Sequence, residues 1–298
     1  MQWMMPAMAA LFAALIVVSF LIQRRRRWLL AAQSLSANLE SCETLLGLIA
    51  SLQQHRGMSA AWLAGEEAFR ARLDERAREI DLALPRLRDL AQRESLQTHP
   101  CLTPNDLQLF RFHWERLRDG LASLTPEQSI ARHSELLERP LAWLAAIGEA
   151  RVEPLFNESS QQRLARNYAS RLPALSECLG QARAVGAGVA AQGHCSPVAR
   201  VRLVFLISRA ESLLKAALAG EGGGRRGEMA GQAVERMLAV IRGDLLGAQV
   251  SVAPEAYFAT ATRAINLVFS WTDGCGERLM QAGQSLLDEP PGMPALGA

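Results

Sequence analysis

The sequence predicts an all-α fold: an N-terminal transmembrane helix followed by two antiparallel four-helix bundles of eight helices. Three observations carry this expectation. Apolar residues recur at i, i+3, i+4 and i+7 through nearly every segment, and no stretch alternates long enough to make a strand. Short breaks containing Pro, Gly, Thr or Asn separate those segments. An uncharged run of about twenty residues opens the chain.

That run, from Trp3 to Ile22, reads WMMPAMAALFAALIVVSFLI. At about 1.5 Å per helical residue it matches a hydrocarbon layer roughly 30 Å thick. Gln23 and the block Arg24, Arg25, Arg26 and Arg27 follow directly. Basic residues beside a span stay in the cytoplasm, so a single pass through the bacterial inner membrane with a cytoplasmic body is expected. A cleaved signal peptide has the reverse order, charge first and a small-residue cleavage site last. Residues 1–27 are therefore read as an anchor in contact with the lipid bilayer and its basic stop.

The first helix is expected to run on from the membrane through Leu63. A second covers about Glu66 to Arg93, and a third about Asn105 to Leu124, with Thr103 or Asn105 near its cap. A fourth starts near Glu127 and is kinked or broken at Glu153-Pro154. The remaining helices span about Ser160 to Ala191, Val198 to Ala219, Glu228 to Gln249 and Pro254 to Leu287. Residues 28–156 then form the first bundle and 157–288 the second, and 289–298 have the composition of a disordered tail.

Composition excludes several function classes. With 49 % hydrophobic and 21 % charged residues the chain can bury a core, so disorder is excluded. A net charge of +2, with arginines mixed among acids beyond the early cluster, argues against a nucleic-acid partner. The five scattered cysteines, Cys42, Cys101, Cys178, Cys195 and Cys275, contain no C-x-x-C pair and are expected as reduced thiols. No P-loop, zincin or nucleophile-elbow motif is present. The glycines at 220, 222, 223 and 224 follow no strand and lack a phosphate-binding lysine, so they read as a loop. His99 with Cys101 and His194 with Cys195 sit at breaks without metal-ligand spacing. Neither an enzyme nor a cofactor or metal is expected.

The informative residues are arginines standing where leucines belong. In the first soluble helix the apolar stripe Leu45, Leu48, Ile49, Leu52 leads four residues on to Arg56, flanked by Ser59 and Ala60. In the fifth, Leu172, Leu175 and Leu179 lead to Arg183, followed by Gly186, Ala187 and Ala190. A glutamine stands two residues before each arginine, Gln54 and Gln181, a weak internal repeat. Arg242 is placed similarly among Leu238, Ala239, Leu245 and Leu246, whereas Arg209 and Arg263 lie on mixed faces and read as ordinary ion-pair partners. A buried guanidinium needs either a carboxylate of the chain or an exogenous anion. Structural Arg–Glu pairs are common; small residues beside a planar five-donor fork, on the other hand, leave room for a small oxyanion.

The stretch Leu52-Gln53-Gln54-His55-Arg56-Gly57-Met58-Ser59-Ala60-Ala61-Trp62-Leu63 resembles the first-helix signature of the nitrate- and nitrite-sensing (NIT) domain family of bacterial signalling proteins. His133-Ser134-Glu135-Leu136-Leu137 is similar to the family's fourth-helix pattern, and Gly180-Gln181-Ala182-Arg183-Ala184 to its glycine and arginine-alanine motif. Pro254 to Asn266 resembles its closing aromatic, threonine and arginine-isoleucine helix. The chain departs from the pattern at His55 and Ala182, where charged residues are usual.

The resemblance implies two four-helix bundles holding nitrate or nitrite between helices. The ligand-binding residues it implies are Arg56 and Arg183, joined by Arg242 or Arg263, with His55 and Ser59 beside them. No kinase, cyclase, methyl-accepting or RNA-binding segment follows Leu287, so a separate signalling protein is the expected recipient, and a homodimer is a further expectation. The competing expectation is a membrane-tethered helical scaffold that has lost ligand binding.

Overall fold

The computed structural model describes the backbone of residues 4–219 and 224–288 and, within these, the side chains of 19, 20, 23, 33–219 and 224–284. The span expected at 3–22 falls almost entirely outside the described side chains, and the tail expected at 289–298 outside the described residues. Among the described residues no helix is long and apolar enough to cross a membrane.

The described residues form helices joined by short connections: α1 (Met4–Leu63), α2 (Arg70–Glu94), α3 (Pro104–Asp119), α4 (Pro126–Ile147), α5 (Ser159–Arg166), α6 (Leu172–Gln192), α7 (Pro197–Leu218), α8 (Gly224–Val240) and α9 (Pro254–Asp288). Thr-Pro pairs start two of these helices. Thr103 accepts from the Asp106 amide while the Asp106 carboxylate accepts from the Thr103 amide, and Thr125 and Gln128 repeat the arrangement at α4. In each case proline follows at the first helical position, where a missing N–H is harmless.

Proline also explains the irregular joints. The helix expected from Ser160 to Ala191 is present as α5 and α6 joined by a π turn at Asn167–Arg171, just ahead of Pro173. A proline ring clashes with the carbonyl four residues back, and the wider turn relieves that clash without ending the rod. At Pro154 the same conflict does end the rod: α4 passes through a π turn at Gly148–Val152 into a 3₁₀ turn at Glu153–Leu155.

Helices α1, α2, α3 and α4 pack in a ring, as do α6, α7, α8 and α9; α1 also meets α6 and α9, and α4 meets α6. One continuous apolar core runs through both sets, including Leu45, Leu48 and Leu52 of α1, Trp114 of α3, Leu144 of α4, Leu172 and Leu179 of α6, and Tyr257 and Trp271 of α9. Helix α6 runs parallel to α1, with Gln53 opposite Glu177 and Gly57 opposite Arg183. Helix α9 is antiparallel to α6: its Tyr257 packs on Gly186, and its Gly276 on Tyr168 in the π turn that precedes α6.

The α6–α9 seam is tight at Gly186, where an added Cβ would stand 2.4 Å from the Tyr257 ring. Tyr257 is fully buried and donates its hydroxyl to the Ala182 carbonyl at 2.7 Å. Gly186→Ala is therefore expected to lower stability on balance, by on the order of 1–2 kcal/mol, because overpacking outweighs the better helix propensity of alanine. Urea unfolding should show a lower midpoint at an unchanged m-value.

Candidate functional site

Arg56, 2 % exposed, extends from α1 across to α6. Its Nη1 donates to Glu177 Oε1 at 2.5 Å and its Nη2 to Glu177 Oε2 at 3.1 Å, a bidentate pair between two buried side chains. Nη1 also donates to Ser134 Oγ of α4 at 2.8 Å. Two amides complete the shell around the carboxylate: Gln53 Nε2 donates to Oε2 and Gln181 Nε2 to Oε1, both at 2.9 Å. Glu177 thus receives four hydrogen bonds.

Of the two partners open to a buried guanidinium, a carboxylate of the chain or an exogenous anion, Arg56 has the first, supplied by Glu177. The small residues were also expected to leave a cavity, and the structure shows what takes up that room. An added Cβ on Gly180 would stand 2.6 Å from Arg56 Nη2, and one on Gly186 would meet the Tyr257 ring. Close packing draws helices and side chains into the space that glycine leaves.

Arg183 is different. Its Nη1 donates to Thr262 Oγ1 of α9 at 3.0 Å, and its guanidinium lies over the Phe258 ring, 4.9 Å from the centroid. It forms no ion pair among the described residues. A Cβ on Gly57 would stand 3.6 Å from its Nη2, so the fork reaches α1 immediately beside Arg56. Burial and then the nearby Arg56 charge push its pKa down to about 10. It stays cationic at neutral pH, held against like charge in a poorly solvated place.

His55, the residue before Arg56 on α1, meets His133 of α4, Nδ1 to Nε2 at 2.7 Å, next to the Arg56–Ser134 contact. The His133 Nδ1–H donates to the Ser129 carbonyl at 2.7 Å, which leaves its Nε2 to accept from His55. Both rings are neutral in this arrangement. Burial pushes the His55 pKa down to about 4, and burial together with His55 and Arg56 pushes His133 to about 3. Ser59 Oγ donates to the His55 carbonyl at 2.6 Å and so turns back on its own helix.

The other two arginines lie elsewhere. Arg242 was expected on an apolar face; it is instead half-exposed in the π turn Ile241–Leu245 and paired with Glu211 of α7. The buried stripe runs through Val234, Met237, Leu238, Ile241 and Leu245, and Arg242 falls at its edge, one residue past Ile241. Arg263 is exposed on α9. The site therefore gathers Arg56, Arg183, His55 and Ser59, and sequence reasoning missed Gln53, His133, Ser134, Glu177 and Thr262 as its partners. Glu177 had a signal, a lone acid within the apolar run from Leu172 to Leu179. Gln54, the residue marked by the repeat, is exposed, and its neighbour Gln53 is the buried one.

An all-helical protein that lodges two arginines at the junction of two helix sets is the class this architecture defines. A family model described as nitrate and nitrite sensing (NIT) matches residues 47–280, and the chain belongs to that family. The fold is similar to that of the NasR transcription antiterminator, with a TM-score of 0.63 and 18 % identity, over 92 % of this chain and 76 % of that one. A search of curated protein sequences finds no match.

The histidine pair makes stability depend on pH. In the unfolded chain both rings titrate near the ordinary value of about 6.5, while the folded values are lower, so the unfolded state binds more protons between them. Stability is complete above about pH 7 and falls as pH drops through 6.5 toward about 4. Urea midpoints should decline from pH 7 to pH 5, and the double variant His55→Gln/His133→Gln should flatten that slope.

Proposed function

We propose that this protein is a membrane-anchored cytoplasmic sensor of nitrate or nitrite that hands its signal to a separate partner. The observation that carries the reading is Arg183, a cation at the α1–α6–α9 junction that touches a hydroxyl and an aromatic face, feels both Arg56 and its partner Glu177, and forms no ion pair of its own among the described residues. A small oxyanion received there accepts hydrogen bonds from guanidiniums of both helix sets and relieves their repulsion. Because α1 and α6 come from different sets, the bound anion ties one set to the other, and a partner reads the change. Membership of the nitrate and nitrite sensing family supports the ligand class. The basic block at Arg24–Arg27 after an uncharged run supports the anchor and its orientation.

A second reading has a specific observation behind it. Because Glu177 already neutralises Arg56, the same bundle can stand without any ligand as a tethered scaffold.

Thermal melts of the full chain in detergent separate the two. A sensor is stabilised by nitrate or nitrite in proportion to the logarithm of concentration over Kd, about 2.7 kcal/mol at a hundredfold excess over Kd. Arg183→Ala should abolish the shift, and matched chloride should not produce it. A melt unmoved by either anion supports the scaffold. For the anchor, protease added to spheroplasts should leave the helical body intact, and digestion from the periplasmic side would reverse the assigned orientation.

A further inference from the structure

The pocket around Glu177 has the chemistry of an anion site that the chain fills with its own carboxylate. Four N–H donors converge on the two carboxylate oxygens: Nη1 and Nη2 of Arg56, and the amides of Gln53 and Gln181. Three of the four come from α1 and the fourth, from Gln181, reaches back along α6 by one turn, so none of them depends on the Glu177 side chain for its place. Ser134 holds the guanidinium from α4 and does not touch the carboxylate. Arg183 lies beside this cluster, facing Gly57, the residue after Arg56.

We propose that Glu177 is an internal competitor for the anion, occupying the Arg56 cradle in the free protein and yielding it when nitrate or nitrite arrives. This rests on the sensor reading above. A carboxylate presents two oxygens on one planar centre, and nitrate and nitrite do the same. A donor set built around the first accepts the others without rearrangement; a guanidinium fork also pairs with tetrahedral oxyanions, so a cradle sized for one carboxylate disfavours sulfate by its bulk and double charge, and chloride by its single acceptor centre. Displacement sets the affinity: observed binding is weakened by the fraction of molecules in which Arg56 is free of Glu177. Glu177 also supplies the motion. Arg56 exchanges a partner on α6 for the ligand, which Arg183 of the same helix also holds, so the α1–α6 contact is rewired rather than merely tightened.

The test is isothermal titration of the full chain in detergent with sodium nitrate, sodium nitrite, sodium sulfate and sodium chloride. Glu177→Gln removes the competing charge with little change of shape and should lower the Kd for nitrate or nitrite at least tenfold while leaving sulfate unaffected. Glu177→Asp keeps the charge but retracts it by one methylene, and should give a smaller gain in the same direction. This second variant also guards against an unfolded Glu177→Gln protein. In the wild type, nitrate-minus-chloride infrared difference spectra should show a perturbed glutamate carboxylate band that Glu177→Asp shifts. Nitrate binding to wild type with equal or weaker affinity in both variants, or without a carboxylate band, would overturn the competitor and leave the sensor standing. Binding by the variants alone would overturn the proposal as well, because Glu177 would then never yield the cradle in the wild type. No binding by wild type or either variant overturns both.

Discussion

The contact on which the site depends is the charge pair between Arg56 of α1 and Glu177 of α6. Both groups are buried, and neither belongs to the apolar core around them. Two charges taken out of water are tolerated only when their mutual attraction is supplemented by hydrogen bonds to the remaining polar atoms. Gln53, Gln181 and Ser134 provide those bonds, drawn from α1, α6 and α4. One polar knot therefore joins three helices from two rings, and its donors and acceptors demand a specific register where leucines alone would accept several. Deleting either charged partner would strand the other, a loss of about 3–5 kcal/mol in comparable buried pairs.

Glycine determines who can approach whom. Gly180 of α6 leaves room for the Arg56 guanidinium, and Gly57 of α1 faces the fork of Arg183. Only the gap at Gly180 is required, since a Cβ on Gly57 would meet Arg183 at an ordinary contact distance of 3.6 Å. Burial first and the Arg56 charge second lower the pKa of Arg183. Thr262 and the face of Phe258 compensate in part, since an aromatic face attracts a cation without neutralising it. Next to Arg56, along α4, the neutral His55–His133 pair closes the polar layer against Trp114 without adding a third positive charge.

How much of this was legible in the chain can be argued residue by residue. The stripe Leu45, Leu48, Ile49, Leu52 identified the buried face of α1, and four residues on it placed Arg56 inside. Of the two cap candidates Thr103 caps α3, α4 starts within a residue of the expected Glu127, and Pro154 ends the fourth rod. The same reasoning failed at Arg242, because the buried stripe continues through Ile241 and Leu245 and the arginine beside them falls at its exposed edge. It also misjudged the small residues of α6, because a gap seen from one helix says nothing about the side chain that fills it from another.

By itself, then, the sequence determined the helical class, the approximate helix limits and the burial of Arg56, because periodicity, capping and proline chemistry are local and act within a few residues. Its likeness to the nitrate- and nitrite-sensing family was legible for the same reason, in short contiguous motifs. Only the tertiary structure decided that Arg56 faces Glu177 while Arg183 has no such partner. Those residues lie 121 positions apart in the first case, and ion pairing over that distance is settled by how α1 and α6 dock, which no single-helix pattern encodes.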